Sequence, residues 1–528
     1  MESLAARIDA HAQRDPGGAA FYADGDTLSW ADYARGSDRV AACFARAGLA
    51  RGDRVGVLLP DGPGVHLAWV AAEKAGLVVV GIGPRAGAAE VAHLLRRTQA
   101  HALVSPPVHR DLDLHDLVAD LRAEGLPLAH HFAVRGELRD ETQLDGAAGA
   151  PLAEAAPAPL LAGRRVSSDD VFLLNSTSGT TGLPKCVRHD QRRWNHFHRL
   201  AVEAADLSPM DVFLSALPAP FGFGVWTAHV TPTLLGAPTV LLPRFDAGLL
   251  IRAIERHRVS VMAAVSTQFI LMLGHPALAA ADLRSLRVLF TGGEAVPYER
   301  SAEFEERTGA RVLQFYGSNE TGALSRTTLR DSREIRLRTA GHVIPEMNVR
   351  LFDDAGRDVT ASGRGQPGCK GPLTSAGYHD DAAANAKLFT GDGWMLTGDI
   401  ATLDADGVLR VVGRSADFII RGGKNISGPA VEEAVATHPA VALAAAVAMP
   451  DPIFGERVCV YAELRAGGSL SLEALVAHLR GRGVSVEYLP EHLVVVDALP
   501  RASGGKVAKA ELRADIARRV RDAREGAA

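Results

Sequence analysis

The stretch Ser-Thr-Ser-Gly-Thr-Thr-Gly-Leu-Pro-Lys, residues 176–185, follows directly on an apolar run at residues 171–174. That run is short and rich in β-branched and aromatic side chains, which predicts a buried strand. Gly179 and Gly182 let the backbone turn sharply and bring its N–H groups close to an anion, while the hydroxyls and Lys185 add further donors. The stretch therefore predicts a polyphosphate-binding loop at the end of a strand, although serine, threonine and glycine are also the usual composition of a plain surface loop.

Strands and helices alternate on both sides of this loop. Buried strands are predicted at residues 55–59, 77–80, 239–242, 259–265 and 288–290, and helices at residues 30–47, 65–75 and 247–257. Such alternation is typical of parallel sheets covered by helices. From residue 347 to 409 the pattern changes to short strands between Gly and Asp turns, which predicts a small antiparallel piece. The remainder has the pattern of one more α/β unit.

The composition is that of an ordinary globular protein and excludes several classes. Hydrophobic residues make up 47% of the chain and charged residues 23%. A net charge of −5 offers no basic surface for nucleic acid. No apolar run approaches the ~18 residues of a membrane span, no signal-peptide pattern opens the chain, and the cysteines form no CxxC pair. These features predict a cytoplasmic protein.

Further segments with chemistry-bearing side chains follow the loop. They read Phe-Thr-Gly-Gly-Glu-Ala at residues 290–295, Phe-Tyr-Gly-Ser-Asn-Glu-Thr-Gly at 315–322, Trp-Met-Leu-Thr-Gly-Asp at 394–399, Gly-Arg at 413–414 and Pro-Arg-Ala-Ser-Gly-Gly-Lys-Val-Ala-Lys at 500–509. The loop does not fit the nucleotide-binding pattern GxxxxGK[ST], because Cys186 follows Lys185. Loop and segments together resemble, in the same order, the signatures of the acyl-adenylate-forming superfamily, and look most like those of acyl-CoA or aryl-CoA synthetases. The resemblance extends over nearly the whole chain.

The resemblance implies an α/β fold in two domains. A large N-terminal domain, residues 1–413, would contain two α/β sheet-and-helix subdomains plus a small β-rich subdomain. A small mobile α+β C-terminal domain, residues 414–528, would follow. In the family this domain pivots between two half-reactions, and many relatives carry Asp or Lys at the hinge position where this chain has Ala416.

The resemblance also implies an ATP site. Its residues would be Thr177, Ser178, Gly179, Thr180, Thr181, Gly182, Lys185, Gly293, Glu294, Ala295, Tyr316, Gly317, Asn319, Asp399 and Arg414. Tyr316 would stack on adenine, and Asp399 would accept hydrogen bonds from both ribose hydroxyls. Asn319 stands where the family usually has Thr, and its amide can still donate to a phosphate oxygen. Each of these residues alone would be an ordinary loop residue.

Three catalytic residues follow from the resemblance: Lys506, Glu320 and Thr177. Glu320 would supply an oxygen ligand for the Mg²⁺ that bridges the phosphates. Lys506 would be the mobile cation that meets the carboxylate and the α-phosphate during adenylation, a task that suits a long flexible side chain. The channel for the thiol of coenzyme A would be lined by Gly422, Gly423 and Lys424.

The substrate segment reads Leu-Pro-Ala-Pro-Phe-Gly-Phe-Gly-Val-Trp at residues 217–226. Amino-acid-activating relatives carry Asp at the position of Gly222 to hold the ammonium, and salicylate-type relatives carry Asn to hold an ortho-hydroxyl. Gly222 can do neither, which disfavours amino acids and removes one contact to ortho-hydroxy acids. The predicted pocket contains Phe221, Gly222, Phe223, Trp226 and Thr267, although such aromatic residues often only pack in the core. The pocket favours an apolar acid, with aryl or alicyclic acids ahead of long aliphatic ones.

Three functions stay open at this point. An AMP-forming acid–CoA ligase would convert an aryl, alicyclic or medium-chain acid and ATP into acyl-AMP, and then transfer the acyl group to CoA. A stand-alone enzyme would instead load the pantetheine arm of an acyl carrier protein. A non-catalytic binding protein is disfavoured because Glu320 and Lys506 are both retained. The oligomeric state is open, with a homodimer as one alternative.

A metal site at His196 and His198 is the weaker interpretation of their His-x-His spacing. A helix would turn residues two apart away from each other, and no further ligand is evident nearby.

Overall fold

The computed structural model describes residues 3–23, 25–135, 138, 144–145, 158–177, 184–294, 296–414, 417–422, 424–502 and 505–525. The chain forms two compact units. The first consists of Met1–Ala263, Ser318–Gly322 and Gly371–Phe389, and the second of Ala264–Gly317, Ala323–Lys370 and Thr390–Ala528. The domain boundary predicted after residue 413 stays a prediction.

A mostly parallel sheet carries the predicted phosphate loop in the first unit. Its strands lie in the spatial order Cys186–Asp190, Val171–Ser176, Val78–Gly81, Arg54–Val57, Ala102–Ser105, His130–Val134 and Leu144–Asp145. The first and last pairs are antiparallel and the inner pairs are parallel. Leu58, Val80 and Leu103 belong to a fully buried aliphatic core on this sheet. The strands predicted at residues 55–59, 77–80 and 171–174 are therefore confirmed, with their ends shifted by one or two residues.

A second sheet of the first unit runs in the order Val261–Ala263, Phe213–Ser215, Thr239–Leu241, Ala19–Ala23 and Asp26–Ser29. Its pairs are parallel apart from the terminal hairpin. A short hairpin joins Val108–His109 to Leu112–Asp113. The α-helices of this unit are Leu4–Arg14, Trp30–Arg46, Pro63–Ala75, Ala88–Thr98, Leu114–Ala123, Ala158–Leu161, Gln191–Ala205, Gly222–Gly224, Thr231–Leu235, Ala247–His257 and Ala382–Leu388. The helices predicted at residues 30–47, 65–75 and 247–257 are confirmed.

Local sequence signals fix where the helices of the first unit begin and end. Ser29 and Asp32 cap each other's backbone N–H groups at the start of Trp30–Arg46, which is a capping box. Gly76 ends Pro63–Ala75 in the left-handed region at φ +79°, and a Cβ there would lie 2.3 Å from the carbonyl oxygen of Arg164. Only glycine fits this close approach.

A π-helical turn, Val225–Val230, joins Gly222–Gly224 to Thr231–Leu235. The N–H of Thr231 donates to the carbonyl oxygen of Trp226, five residues back instead of the usual four. Such turns concentrate at functional sites. This one carries Trp226, a predicted pocket residue.

The second unit combines a parallel pair with two further sheets. Val288–Gly292 pairs in parallel with Arg311–Ser318, and strand Gly322–Arg326 pairs antiparallel with His342–Val343. The small antiparallel sheet contains Asn348–Phe352, Arg364–Lys370, Met395–Leu396, Asp399–Leu403 and Leu409–Arg414. The last sheet contains Lys424–Ser427, Phe418–Arg421, Gly455–Leu464, Val441–Asp451 and His492–Val496. The β-rich piece predicted between residues 347 and 409 is confirmed.

The helices of the second unit include a final long segment. The α-helices are Ser266–Gly274, Tyr298–Thr308, Arg333–Arg338, Gly428–Ala436, Leu472–Gly481 and Lys509–Glu525, and the 3₁₀ turns are Pro276–Ala279, Thr360–Ser362 and Val486–Tyr488. The predicted fold class, mixed α/β, is confirmed. None of the helices within the described ranges is long and apolar enough to cross a membrane.

Candidate active site

The two ends of the predicted phosphate loop are tied together. The N–H of Thr177 donates to the carbonyl oxygen of Lys185 at 2.9 Å, and the N–H of Lys185 donates to Thr177 Oγ1 at 3.2 Å. The loop thus leaves the buried strand Val171–Ser176 and returns into Cys186–Asp190. The loop residues between them that were assigned to ATP lie outside the described residues: Ser178, Gly179, Thr180, Thr181 and Gly182.

Tyr378 connects the loop lysine to the predicted metal carboxylate. Its hydroxyl donates to Glu320 Oε1 at 2.6 Å, and its ring centroid lies 4.9 Å from Lys185 Nζ. The side chain is buried, with 8% of its surface exposed. Tyr378 could not be found from the sequence, because a tyrosine after a glycine belongs to no motif. The structure brings Lys185 and Glu320 together through this residue.

Arg193 holds the backbone of the loop that carries Glu320. Both terminal nitrogens of its guanidinium donate to the carbonyl oxygen of Asn319 at 2.9 Å, and its Nε donates to the carbonyl oxygen of Leu373 at 2.8 Å. His189 Nδ1 lies 2.7 Å from the same guanidinium. A guanidinium that is only 4% exposed and bonded on three sides fixes this loop rigidly. Arg193 belongs to no motif in the sequence either.

In the second unit Asp399 and Arg414 are direct partners across a hairpin. Arg414 Nε donates to Asp399 Oδ1 at 3.1 Å, and the hydroxyl of Tyr316 donates to Asp399 Oδ2 at 2.8 Å. Burial raises the pKa of Asp399, and the positive charge of Arg414 opposes that shift. Burial also raises the pKa of the Tyr316 phenol well above its usual value, reinforced by Asp399. The structure therefore joins three of the residues assigned to the nucleoside, with Gly317 next in the chain.

Lys506 lies against Gly293 within the second unit. Its ammonium donates to the carbonyl oxygen of Gly293 at 2.5 Å. Gly293 is in the left-handed region at φ +76°, and a Cβ there would stand 2.9 Å from Lys506 Nζ. Burial raises the pKa of the neighbouring Glu294, and the Lys506 charge opposes this. Thr267, assigned to the substrate pocket, donates its N–H to Glu294 Oε1 at 3.4 Å, and Ala295 lies outside the described residues.

The predicted acid-binding segment combines core residues with half-buried ones. Trp226 is 1% exposed and Phe221 is 8% exposed. The ring of Phe221 packs against Gly83, where an added Cβ would lie 3.1 Å from the ring. Phe223 and Trp226 form an edge-to-face pair with ring centroids 5.7 Å apart, and Trp226 forms another with Phe197 at 4.9 Å. These contacts extend the aromatic surface beyond the predicted residues.

The residues assigned to the thiol channel lie at a turn. Lys424, which begins strand Lys424–Ser427, is exposed and paired with Glu487, and Gly422 is in the left-handed region at φ +56°. Gly423 and the hinge residue Ala416 lie outside the described residues. His196 and His198 lie on helix Gln191–Ala205, and the described part of the chain contains no group of three or more His, Cys, Asp or Glu able to hold a metal.

The first unit thus has a loop at the end of a strand whose two ends are hydrogen-bonded to each other. The second unit has a buried carboxylate paired with an arginine, within electrostatic reach of Lys506. Such features are typical of nucleotide-binding enzymes. The family model for the AMP-binding enzyme matches residues 8–379, and that for the AMP-binding enzyme C-terminal domain matches residues 430–506. The chain belongs to the AMP-binding enzyme family.

Its curated relatives include enzymes that activate carboxylic acids. Over 92% of its length the chain is 31% identical to the medium-chain fatty-acid–CoA ligase of Escherichia coli strain K12, and the match covers 85% of that enzyme. It is also 31% identical to the 2,3-dihydroxybenzoate-AMP ligase of Bacillus subtilis strain 168, over 92% of this chain and 88% of the relative. The chain is therefore an acid-adenylating ligase that uses ATP.

A solved structure confirms the fold class. The crystal structure of an anthranilate CoA ligase in complex with anthranoyl-AMP matches with a TM-score of 0.87 and 22% sequence identity, covering 98% of this chain and 97% of that chain. The large N-terminal part and smaller C-terminal part that the sequence predicted are the architecture of such enzymes.

Proposed function

We propose that this chain is an AMP-forming acid–thiol ligase that activates an apolar carboxylic acid and passes the acyl group to coenzyme A. Aryl, alicyclic and medium-chain acids are the candidate substrates, with aryl or alicyclic acids ahead of long aliphatic ones. In the first half-reaction a carboxylate oxygen attacks the α-phosphorus of ATP, and pyrophosphate leaves as the new O–P bond forms. In the second, the CoA thiol loses its proton and its sulfur attacks the acyl carbonyl carbon, so that AMP leaves with the C–O bonding electrons.

The position of Lys506 is the observation that carries this proposal. Its ammonium is bonded to Gly293 and opposes the burial-driven rise in pKa of both Glu294 and Asp399. A cation within electrostatic reach of the nucleoside carboxylate can neutralise charge that develops at the α-phosphate and the attacking carboxylate. We also propose that Lys506 belongs to a C-terminal domain that begins after residue 413 and moves between the half-reactions.

Asp399 is suited to hold the ribose. Tyr316 and Arg414 each donate to a different oxygen of this carboxylate, which fixes its orientation. A carboxylate has roughly four lone-pair positions, so acceptor capacity for two further hydroxyl groups is left on the two oxygens. Orienting the ribose in this way positions the α-phosphate for in-line attack.

Glu320 fits the role of a magnesium ligand. Tyr378 engages one carboxylate oxygen, Oε1, and the other can coordinate an ion. Mg²⁺ is commonly held by one or two carboxylates plus substrate phosphates and water, and a single protein carboxylate is enough for that arrangement. When bound, the ion would neutralise phosphate charge. Tyr378 and Arg193 keep the carboxylate and its loop in place for this contact.

A second candidate for the thiol that accepts the acyl group is the pantetheine arm of a carrier protein. One relative is a CoA ligase and the other an AMP ligase, so the pantetheine arm of a carrier protein is kept as the alternative acceptor. Lys424 is exposed near the turn assigned to the thiol channel, where a cation could meet the phosphates of CoA.

The test is ATP–pyrophosphate exchange on a panel of acids, followed by mass spectrometry of the thioester. Benzoate, cyclohexanecarboxylate and octanoate should support exchange, and phenylalanine should not, because its ammonium would be buried without a partner. Comparable exchange with phenylalanine and its deaminated analogue would contradict the apolar pocket. If acyl-AMP accumulates and no acyl-CoA forms when CoA is added, the carrier protein is favoured as the acceptor of the acyl group.

A further inference from the structure

Gly222 and Asn319 share one space in the first unit. A Cβ placed on Gly222 would stand 2.5 Å from Asn319 Oδ1 and 3.6 Å from its Cγ. Apart from its chain neighbours and the backbone of its own helix, no other described atom comes within 4 Å of that point. The carboxamide of Asn319 therefore occupies the place where a side chain at position 222 would begin.

The amide of Asn319 is held by a rigid loop. The buried guanidinium of Arg193 donates through two nitrogens to the backbone carbonyl oxygen of Asn319. The next side chain, Glu320, accepts a hydrogen bond from Tyr378. Ser318 and Thr321 add hydroxyl contacts to backbone N–H groups within the same loop. A polar side chain on a backbone fixed in this way can discriminate between ligands by the position of their polar groups, because it cannot move to reach a group placed elsewhere.

Aromatic residues follow Gly222, whose Cβ position this amide occupies. Phe223, the residue after Gly222, forms an edge-to-face pair with Trp226, which forms another with Phe197. Within the described part of the chain no donor or acceptor is bonded to the Asn319 amide itself. A polar side chain without a protein partner gains when a ligand supplies its hydrogen bond and loses when an apolar ligand takes its water away.

The position of Asn319 in the chain indicates where on the ligand this partner lies. Asn319 directly precedes Glu320, and consecutive Cα atoms are only about 3.8 Å apart. Glu320 belongs, under the proposed function, to the end of the site where the carboxylate reacts with ATP. A group bonded to Asn319 is therefore close to the reacting carboxyl and not at the far end of the acid.

We propose that Asn319 determines the acid specificity by hydrogen bonding to a hydroxyl on the ring carbon next to the one that carries the carboxyl group. The substrate class is then the 2-hydroxyaryl acids, and this inference rests on the proposed function and narrows it. A hydroxyl can donate to the amide oxygen or accept from its nitrogen, so either orientation of the amide serves. The space left by Gly222 is what lets the amide stand there.

The experiment compares 2-, 3- and 4-hydroxybenzoate with benzoate in ATP–pyrophosphate exchange. The wild type should show a kcat/KM at least about tenfold higher for 2-hydroxybenzoate than for benzoate, because a site built to bond a hydroxyl discriminates against the analogue without it. The other two isomers should show no such gain. In Asn319→Ala the preference for the 2-hydroxy acid should fall to within about twofold.

Three further variants separate specificity from folding. Asn319→Thr is the second substitution at this position and should also lose the preference. Gly222→Ala should also lose the preference, because its methyl group displaces the amide. Adding Asn319→Ala to this variant should cause no further fall in the ratio of kcat/KM between 2-hydroxybenzoate and benzoate. Asn348→Ala, an exposed asparagine of the second unit, should keep the wild-type ratio.

Two results would overturn the inference while leaving the proposed function intact. One is equal activity of the wild type on benzoate and 2-hydroxybenzoate. The other is a fall in kcat/KM in Asn319→Ala that is the same for both acids and comes with a raised KM for ATP. That result would indicate that the amide binds a phosphate of ATP. Absence of exchange with every acid would remove the proposed function, and this inference with it.

Discussion

Replacing Tyr378 by Phe removes one hydroxyl and leaves the ring in place. That hydroxyl donates to Glu320 Oε1 at 2.6 Å, while the ring lies 4.9 Å from Lys185 Nζ. Tyr378→Phe therefore breaks the hydrogen bond to the proposed magnesium ligand but keeps the cation–π contact with the loop lysine. Without the bond, the Glu320 side chain is free to leave the rotamer that Tyr378 stabilises.

The expected size of the effect follows from the type of bond. A short hydrogen bond to an ionised carboxylate contributes about 1.5–3 kcal/mol. Glu320 is only partly buried, so water replaces some of the loss and the lower end applies. Since 1.36 kcal/mol is tenfold, the Mg²⁺ concentration for half-maximal rate should rise about tenfold in Tyr378→Phe. Tyr378→Leu also removes the ring and its cation–π contact with Lys185, so the Mg²⁺ concentration for half-maximal rate should rise by about a further two- to fivefold.

The assay is a titration of free Mg²⁺ in ATP–pyrophosphate exchange at a fixed acid concentration. Tyr461→Phe is the matched control, because its hydroxyl also donates to a carboxylate, Asp515 Oδ2, at 2.7 Å in the second unit. It should alter thermal stability but leave the Mg²⁺ dependence unchanged. A Mg²⁺ dependence within twofold of wild type in Tyr378→Phe, with strong loss in Glu320→Gln, would refute the proposed link through Tyr378.

The remaining predictions concern the second unit. Lys506→Ala should lower acyl-AMP formation by about 10²–10³ while CoA still reacts with preformed acyl-AMP, and equal loss in both half-reactions would reject the role of a mobile lysine. Asp399→Ala should cost about 2–4 kcal/mol in kcat/KM for ATP, and unchanged ATP kinetics would exclude the ribose contact. Gly293→Ala should slow adenylation more than thioester formation in single-turnover assays, since φ is +76° and the new Cβ would stand 2.9 Å from Lys506 Nζ. A similar slowing of both steps would show that Gly293 does not act through Lys506.

The parts of the fold that depend on local signals could be predicted from the sequence. Helix Ala247–His257 has the bounds that its apolar spacing indicates. The pairing of Asp399 with Arg414 is also a local matter, because both lie on one hairpin whose turn sets the register. The structure brings Tyr316, Asp399 and Arg414 together, and their assignment to the nucleotide stays a prediction.

The contacts that connect distant segments could not be predicted. Tyr378 and Arg193 reach Glu320 and its loop from far along the chain, and neither belongs to a recognisable motif. The meaning of Gly222 depends in the same way on Asn319. Gly222 alone predicts an open, apolar position, and only the folded chain shows that an amide fills it. Such pairs are set by tertiary packing and leave no periodic trace in the sequence.

The π-helical turn Val225–Val230 gives this enzyme a discrete way to change its selectivity. Each residue of a regular helix advances the chain by about 100° around the axis, so losing or gaining one residue here would rotate everything on its N-terminal side by that step. Phe223 would then face a different direction while Thr231–Leu235 stayed seated. Deleting one residue of this turn would therefore turn the side chains of the proposed acid site by one large step. Point substitutions would change the shape of that site only gradually.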